Sequence, residues 1–317
     1  MYLLAELFPN LRERRLPLSR DQIVLLLAAV NEIFLGVDIY MAHNVSGSIV
    51  AGEWIPIIFG PAAGVVLILA GALAIKRRGV ATVLANATFV ASAVVGVMGV
   101  YYHLERAALP VGPLAERLST RLLVWGPPFV GPVMFIIVAL WGISAVWIED
   151  PPDSGRLRML RGAYLRLPLA KTRAYLLIVA LAAAGTTVAA VFDHARTGFE
   201  NPYLWIPTLL GVFGAMAALV LAAIPRPRRS DIAGYVIAML LLIATGVLGT
   251  VFHIDDNLTS RGVIVAERFI TGAPFMAPLL FANTGTFGLV ALLDPRSERP
   301  ARKAPSVDGT SSARTAG

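Results

Sequence analysis

Long apolar stretches alternate with short polar ones along the whole chain, and eight of the stretches are long enough to matter. Each reaches roughly 20 residues, which as a helix spans the ~30 Å hydrocarbon layer of a bilayer. The pattern predicts helices over 22–43, 55–75, 80–103, 128–148, 174–194, 206–224, 232–253 and 275–293. Lys and Arg fall between them in alternation. One side collects Arg12, Arg14, Arg15 and Arg20, then Lys76 to Arg78, then the linker from Arg156 to Arg173, then Arg226, Arg228 and Arg229, then the C-terminal tail. That side holds 21 of the 27 basic residues. The excess of positive charge in cytoplasmic loops makes it the inner side and places both termini there. Trp54, Trp125, Tyr203 and Trp205 fall at the opposite interface, where amphipathic rings prefer to sit. Pro56, Pro128, Pro207 and Pro274 are expected in the first turns of their helices, with Pro132 and Pro278 one turn deeper and bending theirs.

Composition fixes the class. Apolar residues make up 57% of the chain and charged residues 15%, which excludes a pair of soluble domains of this length. The net charge of +7 belongs to orientation, so it is no sign of a nucleic-acid partner. There is no cysteine, hence no disulfide, iron–sulfur cluster or thiolate metal site. The first residues lack the order of charge, apolar core and cleavage site of a secretory signal. The expected fold is an all-α integral membrane protein of eight spans in a bacterial plasma membrane. It divides into an N-terminal interfacial segment (1–21), a four-helix repeat (22–148), a linker on the inner membrane surface (149–173), a second repeat (174–294) and a disordered tail (295–317).

The two repeats match in sequence. WIPIIFG at Trp54 answers WIPTLLG at Trp205, and GPPFVGPVMF at Gly126 answers GAPFMAPLLF at Gly272. Four helices per repeat, each starting inside, make the repeats parallel, related by an axis along the membrane normal. All four histidines obey the repeat: His43 and His194 each stand 11 residues before the tryptophan, while His103 and His253 end the runs GVMGVYYH and GVLGTVFH.

In each half the two histidines close the first and third helices, which stand diagonally across an up-and-down bundle at one depth. Two facing imidazoles suit the axial positions of a haem b, one per half. Gly96 and Gly99 share the face of His103, and Gly246 and Gly249 that of His253, as a smooth groove for a porphyrin edge. Arg117 and Arg268, at equal places in the outer loops, would meet the propionates. A divalent transition-metal ion is the alternative, held by His43, His103 and Glu116 and again by His194, His253 and Glu267. A third reading binds nothing and uses the histidines to tie helix ends to loops.

Glu32 lies near the middle of the first helix and Asp38 further out, with Ala183 and Ala189 at the matching places of the second half. Ionisable groups at that depth are costly and point to function, so Glu32 and Asp38 form a candidate proton path, with Asn86 as a partner for Glu32. Three functions remain open: electron transfer or quinol-linked redox chemistry with a quinone or a periplasmic redox protein, proton-coupled or metal transport, and an accessory role in a larger membrane complex. The layout of two four-helix halves with histidine pairs resembles haem A synthases and other dihaem membrane proteins in architecture only. No motif of those families is matched, so no residue role is carried over.

Overall fold

The computed structural model describes residues 3–12, 16–44, 47, 49–259 and 261–293. The tail from Pro295, and Arg14 and Arg15, lie outside the described residues. Helix dominates: α1 (Leu4–Leu7), α2 (Arg20–Asn44), α3 (Trp54–Ala74), α4 (Arg78–Ala107), α5 (Leu114–Arg117), α6 (Thr120–Trp125), α7 (Val130–Val146), α8 (Lys171–Ala195), α9 (Trp205–Ala223), α10 (Arg229–Asn257), α11 (Ala266–Thr271) and α12 (Leu279–Ala291). Six helices, α2, α3, α4, α8, α9 and α10, are long and apolar enough to cross a membrane. Their outward faces carry exposed Ile58, Leu69, Val97, Leu209 and Leu248. So much apolar surface on a folded chain calls for a lipid environment.

The fourth and eighth apolar stretches form shorter helices than expected. Helix α7 has 17 residues and α12 has 13. Both begin late because of their prolines. Pro128 and Pro274 stay outside the helices, Pro132 sits in the first turn of α7, and Pro278 immediately precedes α12. Neither proline therefore bends a helix from within. These two helices are the most enclosed of all, with Phe135, Trp141 and Phe287 at 2% exposure or less.

Helices α2, α3, α4 and α7 pack in a ring, α2 on α3, α3 on α4, α4 on α7 and α7 on α2, so that α2 and α4 stand across its diagonal. Helices α8, α9, α10 and α12 pack in the same order. The rings meet along α7 with α8 and α2 with α12. At this seam Trp141 stacks on Tyr175 at 5.2 Å and on Phe287 at 4.4 Å. Asn31 and Asn283 exchange two side-chain hydrogen bonds, of 3.1 and 2.6 Å. Each amide satisfies the other, which is what polar side chains between apolar helices need.

The linker carries secondary structure of its own. Its Arg–Leu alternation has the period of a strand, and it folds into an antiparallel sheet of β1 (Ile148–Glu149), β2 (Arg156–Arg158) and β3 (Tyr164–Arg166). Buried Glu149 organises it: one carboxylate oxygen accepts from the backbone N–H of Gly155 at 2.7 Å and of Lys171 at 3.0 Å, the other from Asp153 N–H at 2.8 Å. Beside it Lys171 donates to the Trp147 carbonyl at 2.7 Å and pairs with Asp21 at 2.5 Å. Arg20 donates to Thr172 Oγ1 at 2.6 Å. This buried charged cluster joins the start of α2 to the start of α8.

Candidate functional site

His43 lies in the last turn of α2, and His103 one turn before the end of α4. Because those helices are diagonal, the two rings meet across the bundle mouth. Their centroids are 6.0 Å apart and their planes are nearly perpendicular, at 88°. His103 Nδ1–H donates to the Pro128 carbonyl at 3.1 Å. Pro128 lies just before α7, and its carbonyl accepts from both the His103 ring and Gly131 N–H, the latter at 3.1 Å. With the proton on Nδ1, Nε2 carries the lone pair and is the nitrogen able to accept from or bind another group.

A cavity of about 380 Å³ opens at this pair. His43, His103, Glu53, Glu105 and Arg106 form its polar part, and Met98 and Tyr102 belong to its apolar wall. Arg106 pairs with Glu53 at 3.0 Å, and the second Glu53 oxygen accepts from Val50 N–H at 3.0 Å. Sequence reading passed over this pair. The one available signal was their absence from the second half, where the same offsets place Leu204 and Asp256.

The second half repeats the carbonyl anchor, His253 Nδ1–H donating to Pro274 O at 3.0 Å. The ring standing edge-on to His194 at 6.0 Å, however, is Phe199. Phe199 in turn stacks on Trp205 at 4.3 Å. Phe199 thus stands edge-on to His194 at the separation His103 keeps from His43, while the charges of His194 and His253 still reach each other.

Several expected site residues stand elsewhere. Gly96 does not leave an open groove, whereas Gly99 touches α7 on one side and lines the cavity beside His103 on the other. A Cβ on Gly96 would lie 2.7 Å from Ile136 Cγ1 and 2.9 Å from Pro132 O, and one on Gly99 would lie 2.7 Å from Pro132 Cβ. Gly246 and Gly249 approach Pro278 in the same way. The glycines let the third and fourth helices of each half touch backbone to backbone. Gly96→Ala should therefore overpack this contact and lower stability by about 1–3 kcal/mol. A melting temperature in detergent equal to that of the wild type would contradict the contact.

Arg117 is turned to its own loop, Nε donating to Leu109 O at 2.8 Å, and Arg268 donates to Asp256 O at 3.0 Å. Glu116 and Glu267 are exposed on short loop helices. Among the described residues no three His, Asp or Glu side chains gather as an ion site would require. Asp38 faces the seam, where its charge meets that of Asp193 on α8. Glu32 points the other way, into the first bundle, and its partner is Ser92 at 2.6 Å. Asn86 instead accepts from Trp147 Nε1–H at 3.1 Å. No family model, curated protein or solved structure matches this chain.

Proposed function

We propose that this is a membrane redox protein holding one haem b between His43 and His103. The observation that carries the reading is the spacing of the pair. Metal–imidazole bonds of about 2.0 Å put the centres of two rings on one metal atom roughly 6 Å apart, and the pair stands at 6.0 Å. The donor set agrees. Haem iron takes only two ligands from the protein, whereas a bare ion needs three or four, and two imidazoles are what this end of the bundle presents. The cavity adds an apolar wall at Met98 and Tyr102 for a macrocycle edge, and Arg106 a cation for a carboxylate. When bound, haem supplies one-electron transfer. The chain's own part is to fix the His103 ring through Pro128 and to keep the site near the helix ends, within reach of a small redox protein or a quinone.

The reading includes eight spans in two parallel repeats, with α7 and α12 as shielded inner spans. Both termini lie on the cytoplasmic side of a bacterial plasma membrane, set by the arginine-rich ends of the helices. It assigns one ligand to the chain, because Phe199 stands against His194. The duplication has kept the fold of the second half and let its site close.

The test is an absorption spectrum of detergent-purified protein, oxidised and dithionite-reduced, with metal analysis of the same sample. One iron per chain with sharp reduced bands is expected. Stoichiometric zinc or copper with no haem bands would replace haem by an ion drawing Glu53 into its ligand set. Protein expressed with haem and metals supplied that holds neither would overturn the reading.

A further inference from the structure

Glu32 is completely buried, as is Ser92 on α4. The carboxyl lies about halfway along α2, far from either end of the bundle. One of its oxygens, Oε1, is 2.6 Å from Ser92 Oγ, and that same Oγ is 3.2 Å from the Phe135 carbonyl on α7. The other oxygen, Oε2, is buried with no hydrogen-bond partner among the described residues. Backbone closes in from the third side, since α3 crosses Glu32 at Gly60, where a Cβ would lie 2.8 Å from Gly36 N.

The hydrogens do not balance for a carboxylate. A serine hydroxyl has one hydrogen, and two acceptors lie within its reach. If Glu32 is ionised, Ser92 donates to it, the Phe135 carbonyl loses that donor, and Oε2 holds charge with nothing to receive it. If Glu32 carries a proton, both hydrogens are used in sequence: the Glu32 O–H donates to Ser92 Oγ, Ser92 O–H donates to Phe135 O, and Oε2 is left as a neutral carbonyl oxygen instead of a charged one. An uncharged acid also avoids leaving an unpaired charge in a water-poor interior. The second half keeps no copy of the arrangement. The repeat offsets place Ala183 and Leu242 there, both buried. A pair needed only for packing would not differ so sharply between two halves that pack alike.

We infer that Glu32 and Ser92 form a buried proton-binding site of the first bundle, with Glu32 as the proton carrier and Ser92 as the group that positions it. Glu32 and His43 are 11 residues apart and share a face of α2, so the site lies on the same side of the helix as the histidine pair, about 16 Å away along the axis. The inference stands on hydrogen-bond geometry and does not rest on the identity of the ligand at the pair.

Infrared spectroscopy of the purified protein in H₂O and D₂O tests it. A carbonyl stretch of a protonated carboxylic acid is expected, lost in Glu32→Gln and retained in Asp38→Asn. The band should move down in D₂O, since a carrier must exchange its proton with solvent. Ser92→Ala, which keeps Glu32, should move it up by removing the hydrogen bond. An infrared difference between wild type and Glu32→Gln that contains only ionised-carboxylate bands would overturn the inference. So would a Glu32 band that ignores D₂O over days, or one that Ser92→Ala leaves in place.

Discussion

Replacing either His43 or His103 by alanine should abolish stoichiometric haem, while the same change at His194 or His253 should leave it. The asymmetry follows from the rings. In the first half two imidazoles face each other at 6.0 Å, and the cavity at their side admits a ligand. In the second half the ring against His194 belongs to Phe199, itself held by the stack on Trp205. A bis-imidazole site that loses one ring loses half of its protein bonds and the Pro128-anchored orientation or its counterpart, so the expected outcome is loss, not weakening. Each variant is checked by haem-to-protein ratio and by the reduced spectrum, with size-exclusion elution as the control for folding. Retention of half the haem in each of the four variants would instead establish two equivalent sites and refute the role given to Phe199.

Lys171→Met should destabilise the protein by up to about 3 kcal/mol, since it removes the closer cation from Asp21 and leaves it only the longer pair with Arg20 at 3.7 Å. The ammonium is 2% exposed and the Asp21 carboxylate 26%, so Asp21 recovers part of its hydration and the low end of the 3–5 kcal/mol range applies. The Trp147 carbonyl loses its donor as well. Adding Asp21→Asn to Lys171→Met should restore only part of the loss, because Asp21 also pairs with buried Arg20 at 3.7 Å and accepts from the Tyr175 hydroxyl at 2.9 Å. Chemical denaturation in mixed micelles measures all three variants and the wild type. A double variant as unstable as Lys171→Met alone would mean that the lysine acts through packing and not through the pair.

The spans of α2, α3, α4, α8, α9 and α10 were legible because length and hydropathy alone decide them. The two histidines of each half could be found because a repeat makes rare residues conspicuous. What could not be read was direction. Gly96, two turns before His103, shares its side of the helix in a sequence, yet Pro132 and Ile136 fill the space beside it, set by how α7 enters the bundle, and only Gly99 reaches the cavity. Arg117 and Glu116 lie in a loop, where spacing says little about orientation, and they turned to local backbone and to solvent. The linker's sheet was hidden for a simpler reason. Alternating Arg and Leu fits an interfacial segment of any conformation, and only the pairing of β1, β2 and β3 shows the strands. Glu32 announced itself by its depth, but Ser92, a small residue in an apolar run, carried no signal at all.

The halves are fastened to each other at both ends. At one end Lys171 and Arg20 bind α8 to α2. At the other, Arg196 of α8 donates to the carbonyls of Val124 and Gly126 at the end of α6, while α11 lies against α2. A carrier that opens first to one side and then to the other must tear one of these seams in every cycle. For the redox reading proposed above, such bracing is an advantage. Electrons and protons travel between fixed stations, and the stiffer the stations are held, the less the surroundings must rearrange at each transfer.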